Sequence, residues 1–116
     1  WAEVFWSEAA SVYVRRDRHP ELVPLAFTTI DPAAPELAAA NAVRSRDPAR
    51  IAAARDELSR MLATSPTSVR ANRALAVYFH LLGRTVERDT VMRALPAEDA
   101  ADLARRFTSS GTATAN

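Results

Sequence analysis

The run Ala54-Arg55-Asp56-Glu57-Leu58-Ser59-Arg60-Met61-Leu62-Ala63-Thr64-Ser65-Pro66, followed by Leu75-Ala76, Phe79 and Leu82-Gly83-Arg84, decides how this chain folds. Ile51, Ala54, Leu58, Met61 and Leu62 fall at helical spacing and make one apolar stripe, opposed by Arg50, Asp56, Glu57 and Arg60. Asp47-Pro48 supplies an N-cap and a first-position proline for that helix, and Thr64-Ser65-Pro66-Thr67 ends it. Thr67 or Ser68 caps the next helix, where Ala71, Leu75, Tyr78, Phe79 and Leu82 line the buried side and Gly83 is the C-terminal stop. Features of this stretch recur at a distance of 34 residues: Asp31-Pro32 as Ser65-Pro66, Ala42 as Ala76, Arg50 as Arg84, Leu58 as Met92 and Met61 as Leu95. A period of that length points to stacked helical hairpins, each burying a face against its neighbour.

Towards the C-terminus, Thr85 opens a fourth helix that should run to about Leu95. Pro96 opens a fifth, with Ala100, Leu103, Ala104 and Phe107 as its stripe. Glu98, Asp99 and Asp102 crowd the front of that helix, and Arg105 and Arg106 its rear, the polarity a helix dipole favours. Towards the N-terminus, Pro35 and Glu36 start a first helix that should reach about Ser45. Before it, Pro20, Pro24, Pro32 and Pro35 forbid a long helix between residues 17 and 34. Leu22, Val23, Leu25, Phe27 and Ile30 should lay this connector against the core. Residues 1–16 alternate with a period of two and carry Trp1, Phe5, Trp6 and Tyr13, which predicts a β-hairpin that must pack on something. The expected fold is mainly α: an N-terminal hairpin, then four or five antiparallel helices, in one domain over 1–108 with a flexible tail at 109–116.

Over residues 35–95 the helical hairpins resemble the tetratricopeptide repeat family. Ala54 and Ala76 stand where that family needs close helix approach, Leu58 where it wants a bulky residue, and Pro66 where its second helix ends. Asn72 occupies the place usually held by Trp, Arg88 replaces a small residue, Pro96 cuts the last helix early, and Asp47-Pro48 comes one turn before the expected corner. Residues 1–16, through Trp1-Ala2-Glu3-Val4-Phe5, Ser7 and Val12-Tyr13-Val14-Arg15-Arg16, resemble a hairpin near the C-terminus of bacterial multi-spanning, glycosyltransferase-like membrane proteins. That second resemblance implies a soluble extramembrane tail, with membrane spans and catalytic residues lying upstream.

Composition narrows the functions open to this chain. It has 116 residues, of which 15 are basic, 14 acidic and none Cys, for a net charge of +1. Every basic residue is Arg. That balance excludes a strongly basic nucleic-acid module, and the absence of Cys excludes disulfides and thiolate sites. No apolar run nears the length of about 20 residues that spans a bilayer, and the start at Trp1 lacks the pattern of a signal peptide, so a soluble piece is expected.

His19 and His80 lie far apart without spaced carboxylate partners, and the glycines lack phosphate-loop spacing, so neither a metal, a cofactor nor a nucleotide is expected. Arg70, Arg73, Val77, His80 and Arg84 follow at steps of 3, 4, 3 and 4 and share one helix face. In the resembled repeat this face lines a concave groove, which Arg46 of the preceding repeat would join. Guanidinium groups grip carboxylates in bidentate fashion, so the expected ligand is an acidic peptide or an anionic head group. The expected function is thus a non-catalytic interaction module. Two alternatives stand beside it: a fragment of an enzyme that uses Asp17 and His19, and a structural or homodimerisation element burying the Trp1, Phe5 and Trp6 face. Arg15, Arg16 and Arg18 form a second basic cluster that would meet anionic lipid if a membrane lies close.

Overall fold

The computed structural model describes residues 2–6, 11–25 and 27–115. Two antiparallel strands, β1 (Ala2–Trp6) and β2 (Ser11–Val14), precede a 3-10 helix at Pro20–Leu25. Five helices follow: α1 (Pro35–Arg44), α2 (Pro48–Thr64), α3 (Val69–Leu81), α4 (Thr85–Arg93) and α5 (Ala97–Ala115). The chain is mainly helical with a short N-terminal sheet. The helical backbone of α5 continues through the small polar residues from Ser109 that the sequence sets apart as a tail. Trp1 and the side chains of Phe5 and Trp6, on which the dimerisation alternative rests, lie outside the described residues.

The hairpin pairs Glu3 with Tyr13 and Phe5 with Val12, and the register slips by one at Val4. One extra residue on β1 breaks the two-residue alternation there. The Phe27 amide donates to the Glu3 carbonyl at 2.9 Å, so the connector is stitched to the outer edge of β1, which also packs on the 3-10 helix.

The connector is fixed in turn by α2. Glu57 was expected on the polar face of that helix, but it is only 6% exposed. Its Oε1 accepts the amides of Thr29 at 3.1 Å and Ile30 at 3.0 Å, and its Oε2 accepts the Thr29 amide at 3.1 Å and the Thr28 hydroxyl at 3.5 Å. A proline-rich segment has no ladder to satisfy its amides, and a carboxylate inside the fold supplies the acceptor. Ile30, fully buried, is thereby seated in the core. Nearby, the Arg60 guanidinium lies 4.3 Å from the centre of the Phe27 ring.

Helix boundaries follow local chemistry. Asp47 caps α2 by accepting the Ala49 amide at 3.0 Å, and Ser68 caps α3 by accepting the Ala71 amide at 3.2 Å. Asn72, where a repeat would place Trp, is buried and donates from Nδ2 to the Ser68 carbonyl at 2.8 Å and the Pro66 carbonyl at 3.2 Å. A polar side chain thus fixes the α2–α3 corner. At the end of α3, Gly83 has φ +76°, the Arg84 amide bonds the Phe79 carbonyl at 2.9 Å, and the Gly83 amide bonds that of His80 at 3.1 Å. This is the Schellman arrangement, and its positive φ is why Gly stands there.

α3 is the central element, packed most extensively against α1 and α4. Ala39 and Ala42 of α1 and Ala71 and Ala74 of α3 are all fully buried, and small side chains let two helix backbones close up. Leu58, Met61, Leu75, Tyr78 and Phe79 complete the main core, while Ala76, Leu95 and Leu103 form a smaller one beneath α5. The Tyr78 hydroxyl donates to the Ile51 carbonyl at 3.0 Å, tying α3 to α2. Ala104, read as part of the α5 stripe, is instead exposed, because α5 meets α3 along a narrow line at Leu103 and Phe107. Among the described residues no helix is long and apolar enough to cross a membrane.

Two substitutions test this account by thermal and urea denaturation. Glu57→Ala leaves several connector donors without an acceptor, and should cost about 2–3 kcal/mol. Gly83→Ala meets no atom within 4 Å, so its cost comes from backbone strain alone, about 1 kcal/mol, with helix content unchanged.

Candidate functional site

A cavity of about 800 Å³ opens where α1, α3 and α5 meet, a volume suited to a peptide side chain or small ligand. Each helix contributes one face, and the spacing shows why. From α3 come Arg70, Arg73, Val77, His80 and Leu81, from α1 Glu36, Leu37, Ala40 and Arg44, and from α5 Leu103, Arg106 and Phe107. All three sets follow helical steps of three and four, so each is a single stripe facing the same space. Leu37 is 59% exposed, a large apolar side chain left uncovered at the mouth.

Four of the six residues singled out from sequence, Arg70, Arg73, Val77 and His80, meet in this groove. Arg46 and Arg84 are not among its lining residues. Arg46 sits in the α1–α2 turn at φ 58°, exposed, and Arg84 occupies the N-cap position of α4. Arg44, the last residue of α1, lines the groove in place of Arg46.

The arginines divide by what already holds them. Arg73, with a side chain only 15% exposed, donates from Nε to Glu36 at 3.1 Å, from Nη1 to Asp99 at 2.9 Å and from Nη2 to Asp102 at 2.6 Å. Burial works against its charge, yet the bonds to Asp102, Asp99 and Glu36 outweigh it and hold its pKa above the ordinary arginine value. The hydrogen bond from Arg73 in turn pulls the Asp102 pKa below the usual carboxylate range. Arg70 donates to the backbone carbonyls of Pro32 at 2.6 Å and Ala33 at 3.3 Å, pinning the approach to α1. Arg106 is 55% exposed and only loosely paired, at 3.5 Å from Glu36 and 3.6 Å from Asp102. Arg44 is exposed and makes no ion pair with the described residues. Arg73 and Arg70 are therefore committed to the fold, whereas Arg44 and Arg106 present charge to solvent at the groove.

His80 closes one end. Its ring stacks on Phe107 with centroids 4.0 Å apart and planes at 11°, and its Nδ1 lies 2.8 Å from Nη1 of Arg88. A guanidinium has no acceptor, so Nδ1 must be the bare nitrogen and Nε2 carries the hydrogen of a neutral ring. Burial, and then the Arg88 charge, hold the His80 pKa below the usual histidine value.

Sequence reasoning named the α3 face but not Glu36, Arg44, Arg106 or Phe107. Glu36 and Asp99 are first-turn acids and Asp102 follows one turn later, so in sequence all three read as helix N-terminal charges, and nothing local shows that α5 folds back on α3. His19 and Asp17, the pair behind the enzyme alternative, take different partners: His19 Nδ1 meets Glu21 at 3.3 Å and Asp17 meets Arg15 at 3.0 Å, all exposed. Among the described residues no three His, Asp or Glu side chains gather as metal ligands.

Replacing Arg73 with Met should destabilise the fold by about 2–4 kcal/mol, because three carboxylates lose their shared partner. The depressed Asp102 pKa adds stability that is full above its unfolded value and is lost as pH falls below about 4. Acid unfolding followed by circular dichroism should show this loss in the parent protein and a shallower one in Arg73→Met.

Comparison with protein-family models, with curated proteins and with solved structures finds no match to this chain.

Proposed function

We propose that the α1–α3–α5 groove is a peptide-docking site and that the chain is a non-catalytic interaction module. The observation that carries this reading is a groove with an apolar floor of Val77, Leu81 and Leu103, flanked by two solvent-facing guanidiniums on different helices. Its occupant is a peptide segment in which an apolar side chain sits beside one or more carboxylates. Glu36 is drawn to Arg73, and the charges that face solvent at the groove margin are Arg44 and Arg106, so the complementary charge is negative. The apolar side chain would cover Leu37, and the carboxylates would reach Arg44 and Arg106. The tetratricopeptide-like reading belongs to the same proposal. It is supported by two successive helical hairpins, α1–α2 and α3–α4, whose Leu58, Leu75 and Phe79 share one core. The extramembrane-tail reading is supported only by the hairpin over β1 and β2 that its resemblance requires.

Selection of a phage-displayed random peptide library on the immobilised protein tests the reading. Enriched sequences should pair a Leu, Ile or Phe with Asp or Glu, and fluorescence anisotropy should show affinity falling as salt rises. Arg44→Glu with Arg106→Glu should weaken binding at least about tenfold while helix content holds. A library that enriches nothing, or binders indifferent both to that double variant and to Leu37→Asp, would overturn the proposal. So would binding to phosphatidylserine vesicles with no peptide binding.

A further inference from the structure

His80 stands where three helices meet and belongs to two cavities at once. On one side is the groove; on the other is a smaller cavity of about 250 Å³, lined by His80, Arg88, Asp89, Met92 and Phe107. The stacked rings of His80 and Phe107 are common to both. Arg88 reaches Nδ1 from α4 at 2.8 Å, and its Nε is bonded to Asp89 at 3.0 Å. Its charge also lies 5.8 Å from the centre of the Phe107 ring. A proton on Nδ1 would oppose two donors and two like charges across the Arg88 contact, which could not survive.

The charged groups around the ring come from every neighbouring helix. In the two cavities that His80 borders, α1 supplies Glu36 and Arg44, α3 supplies Arg70 and Arg73, α4 supplies Arg88 and Asp89, and α5 supplies Arg106, with Asp102 bonded to Arg73. Asp102 and Glu36 are drawn to Arg73, and Asp89 to Arg88, so among the described residues no carboxylate pairs with the imidazole. The free protein therefore keeps this ring neutral.

An occupant carrying a carboxylate changes that balance. Resting on the peptide-docking reading of the groove, we propose that His80 is its proton-linked residue: an acidic occupant draws a proton onto the imidazole and is held more tightly as the solution is acidified. By linkage, whatever raises proton affinity on binding makes protonation raise ligand affinity by the same factor. The proton enters at Nδ1 and Arg88 withdraws towards Asp89, its existing partner. Phe107 keeps its stack, since a ring face also accepts a cation. Acid then acts in opposite senses on the two states. The free fold loses stability as pH falls through the depressed His80 pKa, because the unfolded chain binds the proton first. The complex gains.

The test uses a peptide from the library selection and its Asp/Glu→Asn/Gln counterpart, titrated by calorimetry between pH 7.5 and 5.5, a window above ordinary carboxylate titration. The acidic peptide should bind roughly three- to tenfold more tightly at the lower pH, with net proton uptake, corresponding to a rise of about half to one pKa unit on binding. The neutralised peptide should show no such slope. His80→Asn should abolish the slope, and Arg88→Gln, which removes the opposing charge, should move its midpoint to higher pH. The His80 ring resonances, followed by NMR in the free and bound protein, should shift their titration upward on binding. Peptide binding with a flat pH profile, or a slope that survives His80→Asn, overturns this inference and leaves the docking site standing. Failure of every selected peptide to bind at pH 7.5 removes both.

Discussion

A guanidinium on the inner side of a helix bundle is costly unless its donors are matched, and Arg73 is matched by three carboxylates from two other helices. Glu36 arrives with the first turn of α1, and Asp99 and Asp102 with the first half of α5. Both acids and helix termini gain from this placement, since the positive ends of α1 and α5 are turned towards the same negative groups that Arg73 neutralises. α5 has little apolar surface with which to hold its place: Leu103 is buried, Phe107 is half-buried, and its packing on α3 is narrow. Three charge-assisted hydrogen bonds to one side chain supply the orientation that the apolar contact leaves loose.

The groove is a consequence of that arrangement. Alanines let α1 and α3 close together through Ala39, Ala42, Ala71 and Ala74, while α5 is held off by the length of Arg73 and its acids. The space between stays open and keeps an apolar floor with charge at its margin. The residue that builds the site is thus distinct from those that would read a ligand. Arg73 gives an N–H from each of its three nitrogens to a carboxylate, whereas Arg106 is only loosely paired and Arg44 makes no ion pair with the described residues.

A second polar anchor works the same way between α2 and the connector. Glu57 gathers the amides of residues 29 and 30, and so joins the connector and, through Phe27 and Glu3, the hairpin to the helices. Both anchors look like ordinary helix-surface charges in the sequence. Their period places them correctly on one helix, but the partners lie 26 to 37 residues away, in segments whose approach no local pattern encodes.

What the sequence determined by itself was everything set within a turn or two of the chain. The caps at Asp47 and Ser68, the stop at Gly83, the proline-bounded connector, the apolar stripe of α2 and the shared face of Arg70, Arg73, Val77 and His80 all rest on local sterics, capping bonds and helical period. Tertiary structure alone decided which of those charges were free. Burial and ion pairing depend on the packing of helices distant in sequence, so only the fold turned Glu57 inward, tied Arg73 to α1 and α5, set Phe107 on His80, and left Arg44 rather than Arg46 at the groove.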